Sequence, residues 1–169
     1  LTRSERPVTT LPMNYTYGLS VINSHALAGA AVLLTEKTVF DREFWEFASA
    51  EKATSLAGVP YTYEMLKKLK FMEMELPNLK TMTQAGGKLS VSLHREFAEY
   101  AAGHGKRFIV MYGQTEATAR MGYLPAGEAL NRCGSMGIVI PGGKFRLTGE
   151  DGREIKEAGT TGELVYEGK

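Results

Sequence analysis

The chain has 169 residues, 43% of them hydrophobic and 23% charged, with 20 Lys and Arg against 19 Asp and Glu. Such a composition belongs to a folded unit with a real core rather than to a fibrous or disordered chain, and a net charge of +1 gives no reason to expect binding to nucleic acid or to an anionic membrane. A lone cysteine, Cys133, makes no internal disulfide, the histidines His25, His94 and His104 show no metal-ligand spacing, and the longest apolar run, Ala26 to Leu34, falls far short of the roughly 20 residues of a spanning helix.

Leu1 to Pro7 carries Arg3, Glu5 and Arg6 with no apolar stretch after them, so no signal peptide is visible and a reducing, cytoplasmic setting is expected. The first residue is Leu rather than Met, and Gly162 to Lys169 reads as a strand running straight into the terminus, as in a piece of a longer protein.

In chain order, Val8 to Leu11 predicts a short strand ending at Pro12, and Tyr17 to Gly29, small or apolar on most sides, predicts a buried helix. Ala30 to Leu34 predicts a second strand. Asp41 can cap a helix with Phe44, Phe47 and Ala48 on one side, Thr54 to Gly58 reads as a strand, and Pro60 opens a helix through Tyr63, Leu66 and Leu69 with a solvated face of Lys67, Lys68 and Lys70. Leu79 to Gln84 is strand-like. Ser90 or Ser92 caps a helix lined by Leu93, Phe97, Tyr100 and Ala101 and stopped by Gly103 and Gly105. Arg107 to Met111 is apolar without alternation, as in a parallel strand covered on both faces. Beyond Ala126, glycine and proline crowd in, and Gly143 to Thr148 and Gly162 to Tyr166 alternate like antiparallel strands with a turn at Gly149, Asp151 and Gly152 between them.

Strands separated by helices of this length predict an α/β fold, a layered and mostly parallel sheet with flanking helices, followed by a short β-rich segment. Residues 1–125 are expected to form the α/β part and residues 126–169 a β-rich segment of the same domain, expected to be incomplete at its C-terminal end.

Ligands in open α/β sheets bind beyond the carboxyl ends of the strands, which selects two loops. In Gln84-Ala85-Gly86-Gly87-Lys88-Leu89-Ser90 the paired glycines let the backbone approach a flat ligand, although alone the segment reads first as a tight strand-to-helix turn; it lacks the earlier glycine of a Walker A loop. Tyr112-Gly113-Gln114-Thr115-Glu116 offers a stacking face, an unobstructed backbone, a hydroxyl and a carboxylate, suited to a nucleotide phosphate and a divalent cation. Alone, Thr115 and Glu116 also read as a helix start. A third cluster, Leu11 to Gly18, sets aromatic residues after the first strand, where they either line an acyl or aryl pocket or belong to the core.

Together and in this order, these segments resemble the adenylate-forming superfamily, which comprises acyl-CoA synthetases, aryl-acid ligases, peptide-synthetase adenylation domains and luciferases. Leu11 to Gly18 is similar to its aromatic acyl-pocket motif, Ala85 to Ser90 to its glycine-pair adenine loop, and Tyr112 to Glu116 to its Tyr-Gly-X-Thr-Glu motif. Gly134-Ser135-Met136-Gly137 with Pro141-Gly142 is similar to its glycine-rich stretch, and Gly162-Glu163-Leu164 with Gly168 to its Gly-Glu-Leu strand. The order is the strong signal, with 26 residues from Gly87 to Gly113 and 49 from Gly113 to Gly162.

The resemblance implies an AMP-forming acid-thiol ligase. A carboxylic acid reacts with ATP to give an acyl-adenylate and pyrophosphate, and a thiol of coenzyme A or a carrier protein then takes the acyl group. It also implies that Tyr112 stacks on adenine, that the backbone of Gly86 and Gly87 meets the purine edge, with Gly113 in the same cradle, that Thr115 bonds the α-phosphate, and that Glu116 holds Mg2+. Tyr15, at a position where many members have histidine, would shape the acyl pocket with Tyr17, Gly18 and Val21.

The family's phosphate loop belongs before Leu1, and its ribose-binding aspartate and catalytic lysine belong after Lys169, so flanking domains are expected and the piece alone is expected to be inactive. A second reading is a module that holds a nucleotide or acyl group without turnover. A third, a flavodoxin-like regulatory domain, lacks an aspartate cluster at a strand end.

Overall fold

The computed structural model describes residues 1–117 and 119–168. Four strands, β1 (Pro7–Val8), β2 (Ser55–Gly58), β3 (Thr81–Gln84) and β4 (Arg107–Tyr112), lie side by side in sequence order and run parallel. Two short antiparallel strands, β5 (Gly122–Tyr123) and β6 (Ile138–Val139), complete this six-stranded sheet. A second sheet holds β7 (Lys144–Thr148), β8 (Glu154–Ile155) and β9 (Glu163–Glu167), in the order β8-β7-β9.

The connecting helices are α1 (Thr16–Leu27), α2 (Arg42–Ala50), α3 (Pro60–Lys68) and α4 (Val91–Gly103). Among the described residues no helix is long and apolar enough to cross a membrane. Pro60 at the first turn of α3 gives up a backbone donor that the helix start leaves unbonded in any case, and Ser90 Oγ caps α4 by accepting from Leu93 N at 3.3 Å. Asp41 stands at the cap position of α2, but its carboxylate accepts instead from Thr38 N and Oγ1, at 2.7 and 2.9 Å.

Successive residues of a strand face opposite sides, and the sheet uses this fully. Leu56, Met82, Phe108 and Val110 point to the side covered by α2, α3 and α4, where they meet Phe44, Tyr63, Leu66, Phe71 and Phe97 in the main core. Ala57 and Met111 point to the other side, against Tyr17 of α1.

Four expectations change at this level. Among the described residues Ala30 to Leu34 makes only one bridge, between Val8 and Leu33, beside a β1 that is itself two residues long. The α1 helix forms, yet it is not buried: Leu19 is 46% and Leu27 91% exposed. β4 is covered fully on one face only; Ile109, on the α1 face, is half-buried beside a cavity. The turn at Gly149 to Gly152 leads into β8, so β9 reaches β7 from its other edge. Lys169, the last residue of the predicted terminal strand, lies outside the described residues.

Candidate functional site

β3 and β4 are adjacent and in parallel register, with Gln84 opposite Val110, so the loops leaving their carboxyl ends emerge side by side. This brings the glycine turn and the tyrosine-to-glutamate loop together. Gly86, Gly87 and Lys88 line one wall of a cleft of about 450 Å³, Tyr112, Gly113 and Gln114 line the other, and Gly134, Ser135 and Met136 close the end.

Each loop has a backbone reason for its glycines. Gly86 has φ +77°, in the left-handed region, and a Cβ there would stand 2.5 Å from Tyr15 Oη and 3.0 Å from Val59 Cγ1. At Gly113 a Cβ would strike the Ala119 carbonyl and lie 2.9 Å from Arg120 N, so the chain can double back here only without a side chain. Tyr112 N–H and C=O face β5: its carbonyl accepts from Met121 N at 2.8 Å. Its ring is braced edge-on by Phe145 of β7, centroids 6.3 Å apart, and Gln114 Nε2 donates to its hydroxyl at 3.3 Å.

A second hollow, about 290 Å³, shares Gly86, Gly113 and Gln114 with the cleft and adds Tyr15, Tyr17, Thr115 and Glu116. Thr115 and Glu116 sit on a short 3-10 turn, Thr115–Ala117, and both are exposed. The Thr16 hydroxyl donates to Thr115 Oγ1 at 3.3 Å, tying the start of α1 to the loop after β4. The exposed Glu116 carboxylate suits Mg2+, which is commonly held by one or two carboxylates together with substrate phosphates and water rather than by an all-protein cage. Among the described residues no cluster of three or more His, Cys, Asp or Glu forms such a cage.

The four residues expected to shape an acyl pocket separate into different places. Tyr15 and Tyr17 line the second hollow. Tyr17 is buried and its hydroxyl meets Thr83 Oγ1 at 2.7 Å; burial raises its pKa far above the usual phenol range. Val21 lines a third cavity of about 360 Å³, between α1 and the open face of the sheet, with Thr83, Ile109 and Arg120 among its other walls. Gly18 is buried against the Pro12 carbonyl, where a Cβ would also meet Leu11 Cβ at 3.2 Å, so it lets α1 close on the preceding loop and lines none of these cavities.

Two residues of the site escape motif reading. Gln84, with no exposed surface, donates from Nε2 to the carbonyls of Ala85 at 3.1 Å and Gly87 at 2.9 Å. His94 of α4, 1% exposed, accepts from Gly134 N at Nδ1, 3.2 Å away, and so fixes the third loop of the cleft. A polar residue predicted deep inside a strand end or an amphipathic helix was the available signal, since such groups are kept only where they bond.

Comparison with known proteins adds an independent line. The sequence profile of the family described as AMP-binding enzyme matches residues 1–169. The indoleacetate–CoA ligase of Aromatoleum aromaticum is 30% identical over 170 aligned positions, covering 99% of this chain and 32% of that protein, so the chain spans about a third of the length of the curated relative it matches. Among solved structures, o-succinylbenzoate coenzyme A synthetase (MenE) from Bacillus subtilis in complex with AMP superposes with a TM-score of 0.84 at 20% identity, over 99% of this chain and 33% of the other. The N-terminal domain of FACL13 from Mycobacterium tuberculosis gives 0.83 at 20% identity, over 99% and 41%. At that identity the superpositions show the fold alone: an α/β architecture with a mostly parallel sheet shared by all three chains.

Proposed function

This chain belongs to the AMP-binding enzyme family, and from that premise we propose that it forms the nucleotide- and acid-binding centre of an ATP-dependent, AMP-forming acid-thiol ligase, an acyl-CoA synthetase in kind. A carboxylate oxygen of the acid attacks the α-phosphorus of ATP, pyrophosphate leaves, and the acyl-adenylate then passes its acyl group to the thiol of coenzyme A or a carrier protein with release of AMP. The observation that carries this reading is that the cleft at Gly86, Gly87 and Tyr112 and the hollow at Thr115 and Glu116 share Gly86, Gly113 and Gln114 as lining, which sets room for a base next to room for its phosphates.

In this reading adenine lies on the Tyr112 ring with its edge against the backbone of Gly86 and Gly87, and Gly113 leaves room for the α-phosphate beside the Thr115 hydroxyl. Glu116 would hold Mg2+ together with the phosphates, and the ion would supply charge neutralisation there. Little covalent work falls to the protein, whose residues orient the two reactants and keep them in contact. Tyr15 and Tyr17 border the acid near the phosphate, and the cavity at Val21 takes its hydrocarbon part. Gly18 contributes by fixing α1 against the Pro12 loop.

The activity belongs to the whole polypeptide, with residues 1–125 and 126–169 as two portions of one domain; β6 of the second portion completing the sheet of the first supports their unity. ATP and reduced coenzyme A both favour a cytoplasmic setting, and the free Cys133 accords with it.

The test is pyrophosphate release by the full-length polypeptide over a panel of carboxylic acids, which includes indoleacetate because the curated relative is named for it. At least one acid is expected to support turnover, and Glu116→Gln is expected to lower it about a hundredfold, the scale of losing one well-placed charge stabiliser. Turnover unaltered by that substitution removes the magnesium role. ATP binding without pyrophosphate release on any acid favours the module that binds without turnover.

A further inference from the structure

We propose that Gln84 is a positioning residue for nucleotide binding: its carboxamide holds the Ala85-Gly86-Gly87 turn from beneath in the shape that receives the base. This rests on the reading of the 450 Å³ cleft as the nucleotide site.

The turn is gripped from two sides. Outside it stand Tyr15 Oη, Val59 and Pro60, each close enough that a Cβ on Gly86 or Gly87 would crowd it. Inside stands Gln84, the last residue of β3, with no exposed surface. Its Nε2 carries two hydrogens and meets two carbonyls, those of Ala85 and Gly87, so one NH2 group spans the turn and both donors are used. The carboxamide has only one sensible orientation, because the reverse would put Oε1 against both carbonyls.

The backbone of a glycine pair is free to move unless something fixes it, and Gly86 in the left-handed region gains no restraint from a side chain of its own. Gln84 supplies that restraint. Oε1, the other end of the group, has no partner among the described residues. Leaving a buried acceptor unpaired is costly, and the cost is tolerable where the donor end is needed. The side chain borders the cleft but has no exposed surface, and both its donors are spent on the turn, so it acts on the base through the turn.

The experiment uses the full-length polypeptide with Gln84→Met, which keeps the volume and loses the donor, and Gln84→Glu, which keeps the shape and offers an ionisable acceptor. Hydrogen exchange is measured on the ligand-free proteins, and KM is measured for ATP, for ITP and for the acid. In the unaltered protein the Ala85 amide, which donates to the Gly58 carbonyl at 3.2 Å, should be protected. In the variants it should exchange about tenfold faster while the β3 amides Thr81 to Thr83 are unchanged, and KM for ATP should rise about tenfold, the size of a hydrogen-bond loss, with KM for the acid and the ATP-to-ITP preference unmoved.

An unprotected Ala85 amide in the unaltered protein overturns the proposal without any variant. So do folded variants with unchanged Ala85 exchange and ATP KM, and so does a shifted ATP-to-ITP preference, which would make Gln84 a direct reader of the base. Failure of the unaltered protein to bind ATP at all is a different result, since it removes the nucleotide site itself along with the positioning role.

Discussion

Behind the sheet, α2, α3 and α4, with the turn after α3 that carries Phe71, press Phe44, Tyr63, Phe71 and Phe97 against Phe108, with Tyr63 and Phe97 edge-to-face at 4.8 Å and Phe71 and Phe97 stacked at 6.0 Å. In front of it α1 alone lies across, touching down at Tyr17 and leaving cavities at Val21 and at Tyr15. The contrast teaches where stability and binding are separated. Apolar area removed from water is concentrated behind, whereas the front and the strand ends keep open space, polar groups and left-handed glycines, none of which favours folding.

Truncating the packed face should have the largest effect. Phe97 is fully buried, and Phe97→Ala should destabilise by about 3–5 kcal/mol in denaturant titration. Where the variant still folds, its KM for ATP should stay within about threefold of the unaltered protein, because a distant core change and a loop contact are nearly independent. A loss below about 1 kcal/mol would erase the contrast.

Gly113→Ala attacks the other side of it. The added Cβ would have to displace the Ala119 carbonyl, at about 1–3 kcal/mol of overpacking, less than the core truncation. Its effect on nucleotide binding should be the larger one, since the shift falls on the segment between Tyr112 and Thr115. An affinity for AMP equal to that of the unaltered protein would mean that this close approach does not set the loop.

Much of this division could be read from the chain. Pro60 and Ser90 announced α3 and α4, the period of Leu93, Phe97, Tyr100 and Ala101 gave the buried side of α4, and the glycine pair and the tyrosine loop were found because both follow strands. What stayed hidden depends on contacts distant in sequence. Ala30 to Leu34 has strand composition but only a single bridge to β1, and no local pattern reveals a missing neighbour. The open front of β4 was hidden for the same reason: an apolar run reads as covered whichever side the cover is on. Gly18 carried a family motif, yet its work is to admit the Pro12 carbonyl. Gln84 and His94 belong to no motif, and their roles follow only from two loops ending beside them.

His94 tests whether the two regions are truly separate, since it sits on α4 of the packed side and bonds the loop that closes the cleft. A backbone N–H can only donate, so Nδ1 of the folded protein carries a lone pair and the ring is neutral when bonded to Gly134. Burial, with the charge of Arg95 adding to it, holds the His94 pKa below the ordinary 6.5, against a smaller upward pull from the Ala129 carbonyl. In the unfolded chain the imidazole takes up its proton near the ordinary value, so below that pH the unfolded state binds more protons than the folded one. Stability is therefore full above about pH 6.5 and declines as pH falls toward the folded pKa. His94→Gln, which cannot titrate, should remove this part of the acid sensitivity and flatten the slope of unfolding free energy against pH below about 6.5. Protonation also turns Nδ1 into a donor facing the Gly134 N–H, so AMP affinity should fall over the same interval in the unaltered protein and hold steadier in the variant. Parallel pH curves for the two proteins would confine His94 to packing and leave the front and back of the sheet uncoupled.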